Sequence, residues 1–250
     1  MTDCLTAFPL VIGHRGAAGR APENTLAGFR EAARLGVAWV EFDVRLSADG
    51  VAVLSHDAIP RRTTGHSRPI AETPAATLLG LDAGAWFSPE FAGERLPRLD
   101  TVLKLLATLR LGAVVELKSS PGRAEGVVQA VADCLALAWP AVDAPPLMVL
   151  SFDADMVAAA AGGLPRVRRA WINEKLPENG LQMAIDLGCH MIHLGRRGLT
   201  RRDAAVVKAA GLGLAVYTVN KPEQARRLWA WGADSVFSDR PDLILAANAN

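Results

Sequence analysis

The chain has 250 residues, 50% of them hydrophobic, which is enough apolar material for one large core. With 27 Lys and Arg against 26 Asp and Glu, its net charge of +1 excludes a broad basic field for nucleic acid or an anionic membrane, so an anion must be recognised locally. The three cysteines, Cys4, Cys134 and Cys189, are far apart and form no CxxC pair, which argues against a disulfide framework or a zinc site.

The stretch MTDCLTAFPLVIGH carries an acid, no basic cluster and a short apolar run broken by Pro9, so it does not read as a signal peptide. No run reaches the ~18 apolar residues of a membrane span. The expectation is a cytoplasmic protein with reduced thiols and no stable membrane association.

In chain order, a first strand at Leu10–Ile12 ends in GHRG. A helix follows from Asn24, a good cap residue, and stops at Gly36. WVEFDVRL is a second strand, with VAVLSHD as a short extension. Residues 57 to 99 form a long Pro- and Gly-rich segment, hard to assign and long enough to be functional. A helix over 101–110 leads to the strand GAVVELK. A helix over 122–138 leads to PLMVLSF, and one from Asp153 leads to RVRRAWI. Helices near 177–187 and from Thr200 bracket HMIHL and lead to GLAVYTV. Helix 222–231 leads to SVFS, and a last helix covers 241–247.

Roughly eight strand–helix pairs predict an α/β fold, a (β/α)₈ barrel formed as one domain over 1–250, with a small insertion after the second strand. A doubly wound open sheet is the alternative. The turn GHRGAAGRAPENT lacks the G-x-G-x-x-G spacing of a dinucleotide site.

Strand residues two apart point the same way. Glu41 and Asp43 therefore share a face, as do Glu116 and Lys118 on the next strand. His14, Arg15, His56, Ser151 and His193 follow or end strands at the same side of this frame. Three carboxylates there suit a hard cation, Mg²⁺ or Ca²⁺; the other reading pairs each with a base such as Arg45 or Lys118. His14 and His56 can exchange protons near neutrality, and Arg15 and Lys118 offer fixed positive charge to a phosphate. The pattern points to metal-assisted cleavage of a phosphodiester.

GHRG, APENTLAGF, VEFDVRLSADGVAVLSHD, ETPAATLLGLDAGAWFSPEFAGERLPRL, VVELK, LSF, YTVN and VFSDRPD, taken in order, resemble the glycerophosphodiester phosphodiesterases over about residues 10 to 245. Within that family they are most similar to the bacterial cytosolic branch linked to glycerol-3-phosphate uptake. The resemblance implies a barrel with an insertion after strand two, and hydrolysis of small glycerophosphodiesters to sn-glycerol 3-phosphate and an alcohol. It implies Glu41, Asp43 and Glu116 as ligands of one divalent cation, Mg²⁺ or Ca²⁺, and His14 and His56 as the acid/base pair. Arg15 and Lys118 would hold the phosphate, and Glu23 of PENT would fix the loop near Arg15 or simply act as a helix N-terminal acid. Tyr217 stands where many relatives carry Trp, and Phe152 and His193 are candidates for the glycerol side, or for the core or rim.

Three other readings stay open at this point. One is a lysophospholipase D or sphingomyelinase D-like enzyme, with Trp86, Phe87 and Phe91 as an apolar path. The others are a non-catalytic polyol-phosphate-binding barrel and a metal-dependent sugar isomerase.

Overall fold

A computed structural model describes residues 8–119 and 122–248, which leaves Cys4 outside the described residues. β1 (Val11–Gly13) leads into α1 (Leu26–Arg34), and β2 (Trp39–Leu46) folds back on a short antiparallel β3 (Ala52–Leu54). Segment 57–99 contains the single-turn helices α2 (Arg61–Thr64) and α3 (Ala75–Leu78) and is followed by α4 (Leu99–Leu109). Strand and helix then alternate: β4 (Gly112–Leu117), α5 (Ala124–Ala138), β5 (Leu147–Ser151), α6 (Ala154–Gly163), β6 (Arg168–Asn173) and α7 (Gly180–Asp186). The last turn of the fold comprises β7 (Met191–Gly195), α8 (Arg201–Ala209), β8 (Gly213–Tyr217), α9 (Pro222–Ala230), β9 (Ser235–Ser238) and α10 (Pro241–Ala246).

Parallel pairing runs from β1 through β2, β4, β5, β6, β7, β8 and β9 and back to β1. This closes the expected (β/α)₈ barrel. An open doubly wound sheet would leave two edges, whereas β1 is bonded on both sides.

The two-residue alternation of β2 explains its burial. Val40, Phe42 and Val44 face the helices, where Phe42 meets Phe29 of α1 edge to face at 5.5 Å and the cluster extends to Val102, Leu103 and Leu106 of α4. Trp39 faces the lumen with Val114, Met148, Ala170, Met191 and Phe237, which fill the barrel with side chains instead of leaving a pore. Burying a side chain such as Phe42 or Phe29 contributes about 1.5–3 kcal/mol.

The sequence predicts Asn24 as the cap of α1, but Thr25 takes that position. Its hydroxyl oxygen accepts from Gly28 N at 3.1 Å, while Asn24 is turned inward with φ 56. His193 is likewise not at a strand end. It lies in the middle of β7, inside the barrel.

Segment 57–99 packs Ile70, Leu78, Ala83 and Leu96 into a small cluster against Val53 of β3. Trp86, Phe87 and Phe91 stack edge to face on one another, at 5.8 and 5.6 Å.

Candidate active site

At the C-terminal end of the barrel the inward alternation continues past the apolar lumen into polar residues. His14 follows Ile12, Asp43 follows Glu41, Lys118 follows Glu116, Glu174 follows Ile172 and Asp239 follows Phe237. A cavity of about 220 Å³ opens there, lined among others by His14, Arg15, Glu41, His56, Glu116 and Lys118.

The β1 turn brings two of these side chains in. A Cβ on Gly13 would lie 2.1 Å from Gly16 O, and Gly16 itself has φ 90, so this tight return needs glycine at both places. Arg15, at φ 50 between them, donates its backbone N–H to Glu41 Oε2 at 3.1 Å.

Glu41, Asp43 and Glu116 are buried, and one ligand oxygen from each lies within 4.8 Å of the others. The sheet register explains this, because Asp43 pairs directly with Glu116 across β2 and β4. Lys118 Nζ sits between the two, 2.8 Å from Asp43 Oδ1 and hydrogen-bonded to Glu116 Oε1. Asn24 clamps Asp43 from the other side: its Nδ2 donates to Asp43 Oδ2 at 2.7 Å and its Oδ1 accepts from Asp43 N at 3.1 Å.

One lysine and one arginine do not satisfy three buried carboxylates. Burial and the Asp43 and Glu116 charges hold Glu41 well above the usual carboxylate range. Burial, with Asp43 adding to it, pushes Glu116 up to about 7. At Asp43 burial is outweighed by Lys118 and Arg15, and its carboxyl stays below the usual range. Glu41 Oε1 is buried with no hydrogen-bond partner among the described residues. This oxygen-only donor set, short of positive charge, fits a hard divalent cation.

Both histidines are braced at Nδ1. His14 Nδ1 lies 2.6 Å from Asp239 Oδ1, and its Nε2 faces Glu41 Oε2 at 3.8 Å. His56 Nδ1 lies 2.8 Å from Asp57 Oδ1, and burial lowers its pKa. A carboxylate only accepts, so each ring carries its proton on Nδ1 and leaves Nε2 as a base when neutral.

The braces are themselves held. Asn220 donates to Asp239 Oδ2 at 2.8 Å and accepts from Asp239 N at 2.9 Å. Arg62 of α2 donates to Asp57 at 2.9 Å and grips Glu23 with two bonds of 2.8 and 2.7 Å. Glu23 accepts from Arg15 at 2.9 Å, so Glu23 does fix the Arg15 loop and lies outside α1.

Phe152 and Tyr217 meet edge to face at 6.0 Å on the cavity wall. His193 does not line the cavity. It is buried one layer lower against Phe237 at 5.1 Å, and burial drives its pKa down to about 3. Sequence reasoning also missed Asn24, Asp57, Arg62, Glu174, Asn220 and Asp239 as parts of the site. For Glu174 and Asp239 a signal existed: each lies two residues past an inward apolar residue, as His14 does.

The glycerophosphoryl diester phosphodiesterase family model matches residues 14–243. The chain is 32% identical over 238 residues to YhdW of Bacillus subtilis, covering 94% of this chain and 96% of that one. It is 27% identical to a glycerophosphodiester phosphodiesterase of Caldanaerobacter subterraneus, over 94% of this chain and 96% of that one. A phosphodiesterase of Oleispira antarctica, solved in complex with the product sn-glycerol-3-phosphate, superposes with a TM-score of 0.94 at 34% identity, covering 97% of each chain. With the match running over nearly its whole length, the chain belongs to the glycerophosphoryl diester phosphodiesterase family.

Proposed function

We propose that this enzyme hydrolyses glycerophosphodiesters to sn-glycerol 3-phosphate and an alcohol, with Glu41, Asp43 and Glu116 holding one divalent cation, Mg²⁺ or Ca²⁺. The observation that carries this reading is the gathering of three buried carboxylates, two braced histidines, Arg15 and Lys118 around one cavity. A divalent cation bound there supplies charge neutralisation at the phosphoryl group and eases deprotonation of the attacking oxygen.

The chain's own residues do the rest. Arg15 and Lys118 line the cavity and hold the phosphate, Arg15 with a guanidinium kept in place by Glu23. One histidine takes a proton from the nucleophile at Nε2, and the other delivers one from Nε2 to the leaving alkoxide. Phe152, Leu150, Ile172 and Tyr217 form an apolar wall that orients the glycerol carbons and limits water. His193, sealed below, takes no part.

A lysophospholipase D reading needs a path for an acyl chain. Trp86, Phe87 and Phe91 do not provide it, since they pack on one another and none lines the cavity. We place the reaction in the cytoplasm, a reading supported by the free thiols of Cys134 and Cys189. No helix among the described residues is long and apolar enough to cross a membrane.

The test is release of glycerol 3-phosphate from glycerophosphocholine and of lysophosphatidic acid from lysophosphatidylcholine, with EDTA and then Mg²⁺ or Ca²⁺ added back. Glycerophosphocholine should be cleaved, and chelation should abolish the activity reversibly. Full activity of Glu41→Ala and Glu116→Ala in chelator would overturn the cation site, and preference for the lysolipid would overturn the substrate class.

A further inference from the structure

A second hollow of about 370 Å³ adjoins the active-site cavity, and Glu174, Tyr217 and Thr218 line both. Gly195 lines the second hollow. Other strands put a side chain into the ring around the mouth, but β7 ends in glycine. A Cβ there would fall 2.7 Å from Glu174 O and 2.9 Å from Glu174 Oε2, so only glycine lets Glu174 pack this closely against the end of β7. Beyond Gly195 the chain turns along the hollow with Arg196 and Arg197 on its wall, and Arg196 N–H donates to Tyr217 O at 2.8 Å.

Charge is distributed unevenly along this hollow. Asp239 is already committed to His14 and Asn220. Glu174 has no ion pair among the described residues, and it stands at the junction with the cavity. Arg196 and Arg197 lie further out and have no carboxylate partner among the described residues. Arg15 and Arg62 each have two, and Arg240 has one. Lys175 packs across the same turn, because a Cβ on Gly198 would lie 2.4 Å from its Cγ. A free acceptor near the reacting centre is therefore followed by unpaired cations.

We infer that this hollow receives the alcohol half of the diester and selects alcohols with a hydrogen-bond donor near the ester and an anionic group beyond it, as in the amino acid alcohol serine. The inference rests on the proposed hydrolase reading. Glu174 takes the ammonium and Arg196 and Arg197 take the carboxylate, while Tyr217 and Thr218 form the passage between the two sites. A guanidinium is suited to that task because it meets a carboxylate with two parallel bonds.

The probes are sn-glycero-3-phosphoserine and sn-glycero-3-phosphoethanolamine, which differ by one carboxylate. The kcat/KM for glycerol 3-phosphate release should favour the serine diester by about fivefold, the worth of an exposed charge pair. In Arg196→Ser/Arg197→Ser that ratio should fall to about one, and Arg196→Lys/Arg197→Lys should keep part of it. A wild-type ratio at or below one, or a ratio unchanged in the serine variant, would overturn the assignment. If neither diester releases glycerol 3-phosphate, the hydrolase reading fails instead. Calorimetric titration with O-phosphoserine and phosphoethanolamine then reads the hollow alone: tighter binding of O-phosphoserine supports it, and equal affinities overturn it.

Discussion

Asn24 holds a left-handed backbone so that its amide can clamp Asp43 at two points. Asparagine tolerates that conformation better than most residues, and alanine does not. Asn24→Ala should destabilise the protein by about 1–3 kcal/mol and weaken divalent cation affinity by about 10–100-fold, as loss of a partner that orients a ligand does. Asn24→Gly should recover the backbone part of the stability but not the affinity; recovery of the affinity in a cation titration would show that the clamp is irrelevant. Asp239 makes a comparable argument for His14. An amide in Asp239→Asn can turn its NH₂ toward Nδ1 and reverse the ring's protonation, so kcat should fall by about 10² or more. Glycerol 3-phosphate binding should persist in that variant, and a kcat within a few fold of wild type would remove Asp239 from the mechanism.

At the scale of elements, the inward and outward alternation of β2 and β4 was readable because a period of two is nearly independent of context. It alone places Glu41, Asp43 and Glu116 on one side of the sheet. The same rule overreached at His193, whose side chain also points inward but one layer too deep, where Phe237 seals it from the cavity. What pattern could not reveal were contacts between loops far apart in sequence. Segment 57–99 reads in the sequence only as a long segment that is hard to assign, and its structure makes it a brace: α2 presents Arg62 to Asp57 and Glu23 together, linking His56 to the Arg15 loop. Arg62→Ala should lower kcat about tenfold, while stability changes by about 1 kcal/mol or less because the pairs are partly exposed. Arg62→Lys should recover little, since a single ammonium lacks the fork that spans both carboxylates. Steady-state kinetics beside a thermal melt would check both, and an unaltered kcat would leave the brace without a role.

For the molecule as a whole, the buried triad makes stability depend on pH. Glu116 moves from a usual value of 4.5 to about 7 in the fold. Below about pH 4.5 the group is protonated in both folded and unfolded chains. As pH rises from there to about 7, the unfolded chain releases the proton more readily, so cation-free protein should lose on the order of 3 kcal/mol. A divalent cation needs the ionised triad, so the rise in Tm with Mg²⁺ or Ca²⁺ should be larger near about pH 8 than near about pH 5. Equal shifts at the two pH values would count against the triad as the ligand set.

The bond from His14 to Asp239 joins positions 225 apart and crosses the seam where β9 meets β1. A chain emerging from the ribosome presents Glu41, Asp43 and Glu116 more than 100 residues before Asp239. On the proposed roles, the three carboxylates can gather before β9 docks whereas the His14 brace cannot, so recovery of turnover during refolding should follow barrel closure and lag behind recovery of cation binding.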